Sequence, residues 1–275
     1  MNSAFDLQLS HPAGQLANVV QGIWSASACA SEAVEKTLFA DAGSGIAFIL
    51  AGDVLVDGEP LPQGVIMLPI NKQADRLVMK PGSILAGFRF HPAMGYKILG
   101  RHYEELTLLS RNDDDPYQLY ELFDCLQQEV NFDPGSGSDS VSDNASQNDS
   151  AMIQNRQRLK QLYQWAEHTL ITENETPDSI QQVLAIIDDA EALAELSDKI
   201  GLSQRQIERL FKTRLGMTAK NYQRIIRIRK AINFIQENKQ MPLVDVAAEL
   251  GFSDQAHMTR EFKTIARITP GKLAP

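Results

Sequence analysis

The last third of the chain contains one pattern written twice, and this duplication limits the folds that are open to it. The first copy, LAELSDKIGLSQRQIERLFK, spans residues 193–212, and the second copy, LVDVAAELGFSDQAHMTREFK, spans residues 243–263. The copies align when Gly201 is placed on Gly251, which gives a period of about fifty residues. Self-similarity at a fixed period predicts two equivalent supersecondary units.

Each copy predicts two helices separated by a glycine. In the first copy, Gly201 can adopt the positive φ that ends a helix, and Ser203 with Gln206 predicts a capping box for the next helix. In the second copy, Pro242 suits a first helical turn and Gly251 supplies the break. Because the second helix of each unit buries its apolar face, its other residues must point outward. They are Arg205, Glu208, Arg209 and Lys212 in the first copy and Gln255, Ala256, Thr259, Arg260 and Lys263 in the second.

A helix pair with a glycine turn and an exposed Arg, Gln and Thr face is typical of the helix-turn-helix units that bind DNA. The guanidinium group of Arg can donate two hydrogen bonds to the major-groove edge of guanine, and the side-chain amide of Gln can pair with the edge of adenine. The ammonium group of Lys neutralises a backbone phosphate. The copies are joined by residues 218–238, whose apolar stripe is accompanied by the basic residues Arg224, Arg227, Arg229 and Lys230. A helix over this span is roughly 30 Å long, close to the ~34 Å between successive major-groove faces. The two units are therefore predicted to enter neighbouring grooves on one side of a duplex.

The paired units, the linking helix and the closing stretch GFSDQAHMTREFKTIARITPGKLAP resemble the DNA-binding domain of AraC/XylS-type bacterial transcription regulators. The resemblance covers about residues 183–275, and its motif of G-F-S, R-x-F-K and a later T-P is specific. It implies double-stranded DNA at a promoter or operator as the partner, with RNA polymerase as a second partner if the protein is an activator. The residues assigned to DNA are Arg205, Gln206, Arg209, Lys212, Gln255, Ala256, Thr259, Arg260 and Lys263.

Charge is divided unevenly along the chain. The whole chain carries a net charge of −9, which argues against a histone-like nonspecific DNA binder. Residues 181–275 nevertheless contain 15 basic and 11 acidic residues, a net of +4, so residues 1–180 carry −13. Only the C-terminal part suits DNA electrostatically. Within it Glu208 departs from a phosphate-facing pattern, and three roles stay open: accepting from a cytosine amino group, pairing with Arg205 or Lys212, or facing solvent.

The N-terminal part predicts a β domain. Short apolar segments bounded by Gly, Pro or Asp lie at residues 18–24, 36–40, 45–51, 53–58, 64–69, 76–82 and 84–90. About seven strands at this spacing predict an antiparallel sandwich or small barrel, followed by a helix at residues 93–100. This outline is similar to a cupin-like domain of undefined ligand that often precedes such DNA-binding units. The resemblance implies a domain that binds a small effector and helps to form a homodimer.

Residue types that commonly catalyse reactions or bind metals do not form a known motif in this sequence. The five histidines, His11, His91, His102, His168 and His257, are isolated, without the H-x-H pair that a metal cupin needs. No G-x-S-x-G, P-loop or G-x-G-x-x-G motif occurs either. We therefore expect no enzyme activity, no metal and no cofactor.

Five residues of the predicted barrel are candidates for an effector pocket. They are the aromatic residues Trp24, Phe48, Phe88 and Phe90, with Arg89 as a hook for an anion, and Tyr96 is a further aromatic candidate. The alternative is that the aromatic rings form the barrel core and that Arg89 faces solvent.

Apolar residues at helical spacing predict two connecting helices, at residues 116–130 and about 152–171. The Gly, Ser, Asp and Asn content between them predicts a disordered loop at residues 133–150. The sequence thus predicts an α+β multidomain protein. Its parts are a cupin-like β sensor or oligomerisation domain (1–110), a helical connector (111–178) and an all-α double helix-turn-helix domain (179–275).

Cysteine usage and hydropathy bear on location. The two cysteines, Cys29 and Cys125, do not make a disulfide framework, which suits a reducing compartment. The longest apolar stretches, such as residues 46–50, are too short to span a bilayer, so we expect a cytoplasmic protein without a membrane partner.

The alternative to a regulator is a cupin-like enzyme or small-molecule binding protein whose C-terminal helices serve protein contacts.

Overall fold

The computed structural model describes residues 5–29, 31–128, 144–171, 179–187 and 193–273, with the backbone alone at 144–149 and 193–196. The described chain is an α+β protein with an N-terminal antiparallel β domain and a helical C-terminal domain, as the sequence predicts. The strands are β1 (Phe5–Ser10), β2 (Val20–Ala28), β3 (Val34–Leu38), β4 (Gly45–Ala51), β5 (Val54–Val56), β6 (Glu59–Leu61), β7 (Gly64–Leu68), β8 (Asp75–Met79), β9 (Ile84–Phe90) and β10 (Thr107–Leu108).

The strands form two sheets. A six-stranded sheet has the order β1-β2-β9-β4-β7-β10, and a four-stranded sheet has the order β3-β8-β5-β6. All described pairings are antiparallel, and β9 lies centrally between β2 and β4, with Phe88 opposite both Ile23 and Ile46. Small and aliphatic side chains from both sheets meet between them in one core that includes Ala26, Ala47, Ile49, Val54, Ile66, Met79 and Leu85. The N-terminal domain is thus a two-sheet sandwich.

All seven predicted strands exist, and three further strands escaped prediction. The missed strands β6 and β10 have only three and two residues, which is too short for an alternating pattern to be recognised. The missed strand β1 does alternate, but only Phe5 of its apolar side packs against the core between the sheets, whereas Leu7 and Leu9 are about half exposed. It pairs only with β2, at the edge of the large sheet.

Helices cover the second face of the six-stranded sheet. They are α1 (Met94–Leu99), α2 (Leu119–Gln128) and α3 (Asn144–Leu170). Apolar residues of α2 and α3 pack on the sheet in a second core. Two polar residues of α3 are also fully buried against β2, where Ser25 Oγ donates to Asn155 Oδ1 at 2.6 Å and Arg158 Nε donates to Ser25 Oγ at 3.2 Å.

The predicted boundary between the loop and α3 is wrong. Residues 133–143 of the predicted loop lie outside the described residues, but residues 144–150 are helical rather than loop. Composition favoured a loop because Ser, Asn and Asp have low helix propensity. Once α3 is nucleated by its packing on the sheet, however, each added residue gains a backbone hydrogen bond at little cost.

The C-terminal part of the described chain consists of six α-helices around one core, followed by a short 3-10 helix (Pro270–Lys272). The α-helices are α4 (Ser179–Ile186), α5 (Leu193–Ile200), α6 (Gln204–Leu215), α7 (Ala219–Glu237), α8 (Leu243–Glu249) and α9 (Gln255–Ile265). The core is continuous from Ile207 and Phe211 of α6, through α7, to Met258 and Phe262 of α9. It also takes in residues of the N-terminal domain, including Ala40, Ala42 and Ala93. None of the described helices is both long and apolar enough to cross a membrane.

Candidate DNA interface

The second helix of each copy is the predicted recognition helix, and the first of these, α6, is built as its sequence predicts. Its capping box is present: Gln206 N donates to Ser203 Oγ at 3.3 Å, and Ser203 N donates to Gln206 Oε1 at 2.8 Å. Two backbone donors that the helix cannot satisfy itself are thereby bonded. Three apolar residues of α6 are fully buried, and the opposite face therefore leaves Arg205, Arg209 and Lys212 exposed to solvent.

The second recognition helix, α9, presents an equivalent face. Asp254 caps it, because its Oδ1 accepts from His257 N at 2.6 Å. Met258 and Phe262 are fully buried. The predicted partner residues Gln255, Ala256, Arg260 and Lys263 are exposed, whereas Thr259 is half-buried and its hydroxyl donates to Gln255 O at 2.8 Å.

The long helix α7 joins the two units. Its 19 residues give a length of about 28 Å at 1.5 Å per residue. Arg224 forms a two-bonded ion pair with Glu261 of α9, at 2.7 and 2.9 Å. The bonds from Arg224 lower the pKa of Glu261, and they outweigh the effect of burial. This pair ties the second recognition helix to the linking helix.

The predicted basic cluster on α7 is largely engaged within the protein. Besides Arg224, Arg227 lies over the ring of Phe252, 5.7 Å from its centroid. The charge of Arg229 lies near Asp41 of the N-terminal domain and contributes to lowering the pKa of that carboxyl. Lys230 is exposed. The predicted DNA contacts therefore rest mainly on α6 and α9 rather than on the linking helix.

The residues predicted for an effector pocket do not come together. Phe48, Phe88 and Phe90 are fully buried beneath the helices, and the ring of Phe88 lies 5.1 Å from that of Trp165 of α3. Trp24 packs instead in the core between the two sheets. Successive residues of a strand point to opposite faces, so Trp24 and the three Phe residues occupy opposite sides of one sheet. No common pocket for them forms in the described structure, which favours the alternative that these rings are core.

Arg89 has a partner within the protein. Its Nε donates to Asp41 Oδ2 at 2.8 Å, and its Nη2 donates to Asp41 Oδ1 and, at 3.0 Å, to Gly43 O. Burial alone would raise the pKa of Asp41, but the charge and hydrogen bonds of Arg89 outweigh it, and the pKa lies below its ordinary value. The guanidinium predicted to hold an anion already holds this carboxylate.

A cleft of about 750 Å³ lies elsewhere, between His91 and Met94 of the N-terminal domain and Gln181 and Tyr222 of the helical domain. The predicted effector residues lie outside its wall. No group of three or more His, Cys, Asp or Glu residues suited to a metal ion occurs in the described part of the chain.

Comparison with known proteins identifies the helical domain. A family model described as a helix-turn-helix domain matches residues 196–274, which include both recognition helices. The C-terminal part of the chain is a helix-turn-helix domain of the AraC/XylS type. The chain is similar to the probable transcription factor PqrA of Proteus vulgaris, with 39% identity over 77 residues, 28% of this chain and 62% of that protein.

Two further comparisons concern a regulator and a solved structure. The HTH-type transcriptional regulator GlxA of Rhizobium meliloti (strain 1021) is 34% identical over 85 residues, 31% of this chain and 25% of that protein. The crystal structure of ToxT from Vibrio cholerae at 1.65 Å resolution aligns over 98% of this chain and 97% of its own, with 13% identity and a TM-score of 0.44. The matched stretches thus span less than two thirds of PqrA and a quarter of GlxA.

Proposed function

We propose that the protein is a sequence-specific DNA-binding transcription regulator that inserts α6 and α9 into adjacent major grooves. The observation that carries this proposal is the pair of solvent-exposed Arg, Lys and Gln faces on two helices held by one core and joined by a helix of about 28 Å. That length is close to the ~34 Å between successive major-groove faces on one side of a duplex.

The proposed roles follow from side-chain chemistry. Arg205, Arg209 and Arg260 would contact guanine edges, and Lys212 and Lys263 would contact phosphates. Among the remaining residues, Gln255 would form hydrogen bonds with the major-groove edge of adenine through its side-chain amide. The methyl groups of Ala256 and Thr259 would contact the methyl group of thymine. The carbonyl oxygen of Gln206 already accepts from Ser203 in the capping box, so Gln206 would contribute its amide nitrogen.

The test is selection of preferred duplexes from a random pool with the full chain, followed by affinity measurements on the selected duplex. We expect Arg209→Ala and Arg260→Ala each to weaken binding by about 1–3 kcal/mol, roughly five- to 150-fold, and each to relax preference at one position of the site. Arg76→Ala, which removes an equal charge from the N-terminal domain where Arg76 pairs with Glu35, is the matched control and should bind as the parent does. Unchanged affinity in both α6 and α9 variants would refute the assigned faces.

The N-terminal domain is proposed to regulate this binding, through a small effector or through formation of a homodimer, with RNA polymerase as a further partner if the protein activates transcription. The proposed boundaries are residues 1–110, 111–178 and 179–275, and the proposed location is the cytoplasm. The 750 Å³ cleft between the domains is a better effector site than the aromatic residues of the sandwich, because those residues are core. The alternative of an enzyme or binding protein with C-terminal protein contacts is not favoured, since the similar proteins are regulators.

A further inference from the structure

The same position of the repeat has a positive φ after both recognition helices, but it holds different residues. Gly216 lies five residues after Phe211 and ends α6 with φ 56°, and Arg267 lies five residues after Phe262 with φ 55°. Glycine adopts this left-handed conformation freely, whereas arginine does so at a cost in free energy. A strained residue of this kind persists where its surroundings hold it, so the contacts of Arg267 are informative.

Arg267 is held by the N-terminal domain. Its Nη1 donates to Asp57 Oδ2, and its Nε donates to Gln73 Oε1 at 3.4 Å. Asp57 is itself in the left-handed conformation, with φ 52°, and its Oδ1 accepts from Arg76 N at 2.9 Å. The hydrogen bond from Arg267, followed by that from Arg76, lowers the pKa of Asp57. Two residues with unfavourable backbone conformations thus meet across the boundary between the domains.

The same segment of the N-terminal domain also binds the end of the first recognition helix. Lys72 Nζ donates to Gly216 O at 3.0 Å, and Ala74 N donates to Ile265 O, at the end of α9, at 2.7 Å. The last carbonyl groups of a helix have no partner within the helix. The β7–β8 loop therefore supplies donors to both recognition helices from positions only two residues apart in the chain.

Further contacts surround these bonds. His102 Nε2 lies 2.6 Å from Thr213 O in the last turn of α6, and Arg214 lies over the ring of Tyr96, 5.1 Å from its centroid. Ile70 of the N-terminal domain packs against the core that both helix-turn-helix units share. The exposed faces of α6 and α9 that carry Arg205, Arg209 and Arg260 lie outside these contacts. The N-terminal domain thus holds the ends of the recognition helices while leaving their outward faces open.

We infer that Asp57, Lys72, Gln73, Ala74 and Arg267 form a clasp through which the N-terminal domain sets the separation and angle of the two recognition helices. These are positioning residues for DNA recognition, and the inference rests on the proposed function. Because the outward faces stay open, the clasp acts on geometry and does not block DNA. The clasp makes the protein selective for the number of base pairs between the two blocks of the DNA site, each of which is contacted by one recognition helix.

The experiment compares full-length Asp57→Asn and Arg267→Gly with the parent. Asparagine tolerates the left-handed backbone at position 57, and glycine restores at position 267 the residue type of the first repeat, so both variants keep the fold. Asp53→Asn is the matched control, because Asp53, just before β5, forms an exposed ion pair with Lys80, just after β8. The first measurement needs no DNA and is the rate of amide hydrogen exchange at Ala74 and in residues 213–217.

We expect exchange at the Ala74 amide and in residues 213–217 to rise about tenfold in both clasp variants and to stay unchanged in the control. The increase in exchange rate at residues 213–217 decides whether the clasp exists, because neither substitution removes an atom that contacts these residues. Parental exchange rates there would overturn the clasp, whatever the protein does with DNA.

The second readout is binding to the selected duplex and to the same duplex with one base pair inserted between its blocks. The parent and Asp53→Asn should lose roughly tenfold in affinity on insertion, and the clasp variants about threefold or less. A full tenfold loss in the clasp variants would overturn the positioning role. Failure of the parent to select any duplex would instead overturn the proposed function, while the exchange measurement would still decide whether the clasp exists.

Discussion

Replacement of Glu261 by Gln tests how α9 is held against α7. Glu261 accepts two hydrogen bonds from Arg224, and the side chains are 16% and 34% exposed. A hydrogen bond to a charged group contributes about 1.5–3 kcal/mol when buried. Water screens the pair because Arg224 is one third exposed, and glutamine still accepts one bond, so we expect Glu261→Gln to cost about 1–2 kcal/mol at pH 7.

The cost should depend on pH with a definite sign. The pKa of Glu261 is lower in the folded protein than its ordinary value, because Arg224 bonds the charged form. The ion pair therefore stabilises the folded state above the pKa that Glu261 has in the unfolded chain, and this stabilisation is lost as the pH falls through the lowered folded pKa. Parent and variant should converge in stability over that acidic range.

The measurement is the free energy of opening of α9, from native-state amide hydrogen exchange in the full chain, at neutral and at acidic pH. Glu249→Gln, at an exposed position of α8, is the matched control and should change stability by less than about 0.5 kcal/mol. A Glu261→Gln cost that is absent at pH 7, or that is equally large at acidic pH, would refute the assignment of the ion pair as the tie between α7 and α9.

Two further substitutions test the local structure. Ser203→Ala removes the capping box of α6 and should cost about 1 kcal/mol, seen as faster amide exchange confined to the first turn of α6; unchanged exchange at Gln206 would contradict it. Asp41→Asn removes the carboxylate held by Arg89 and leaves a largely buried guanidinium, 19% exposed, without its countercharge. The sandwich should therefore lose about 3 kcal/mol in urea unfolding, measured by the fluorescence of Trp24 and Trp165. A loss below about 1 kcal/mol would show that water solvates Arg89.

Local signals in the sequence predicted the helical domain well because they are sufficient to define it. Gly201 and Gly251 both adopt positive φ, and the capping box at Ser203 forms as predicted. The spacing of apolar residues in α6 and α9 identified their buried faces. The remaining residues of each helix therefore had to form the exposed face. The DNA contacts assigned to those faces stay predictions until binding is measured.

The placement of the residues predicted for an effector pocket depends on tertiary packing that no local pattern reveals. Alternation along β9 shows that Phe88 and Phe90 share a face, but not which face is covered by α2 and α3. Likewise the partner of Arg89, Asp41, lies 48 residues away in sequence, and only the tertiary structure brings them together.

The clasp did carry a signal in the sequence, which the repeat alignment makes visible. Extending the alignment past Phe211 and Phe262 places Arg267 on Gly216, and an arginine at a position that ends a helix in the other copy is unusual. Its partners Asp57 and Gln73 could not be found in this way, because they lie in turns of a different domain.

In the proposed complex, α6 and α9 occupy adjacent major grooves on one face of a duplex. Dimethyl sulfate footprinting of the full chain on its selected duplex tests this most directly, because the reagent modifies guanine N7 in the major groove. We expect two protected clusters on one face, separated by about one helical turn, with Arg209→Ala abolishing protection in one cluster and Arg260→Ala in the other. A single protected cluster, or two on opposite faces of the duplex, would contradict it.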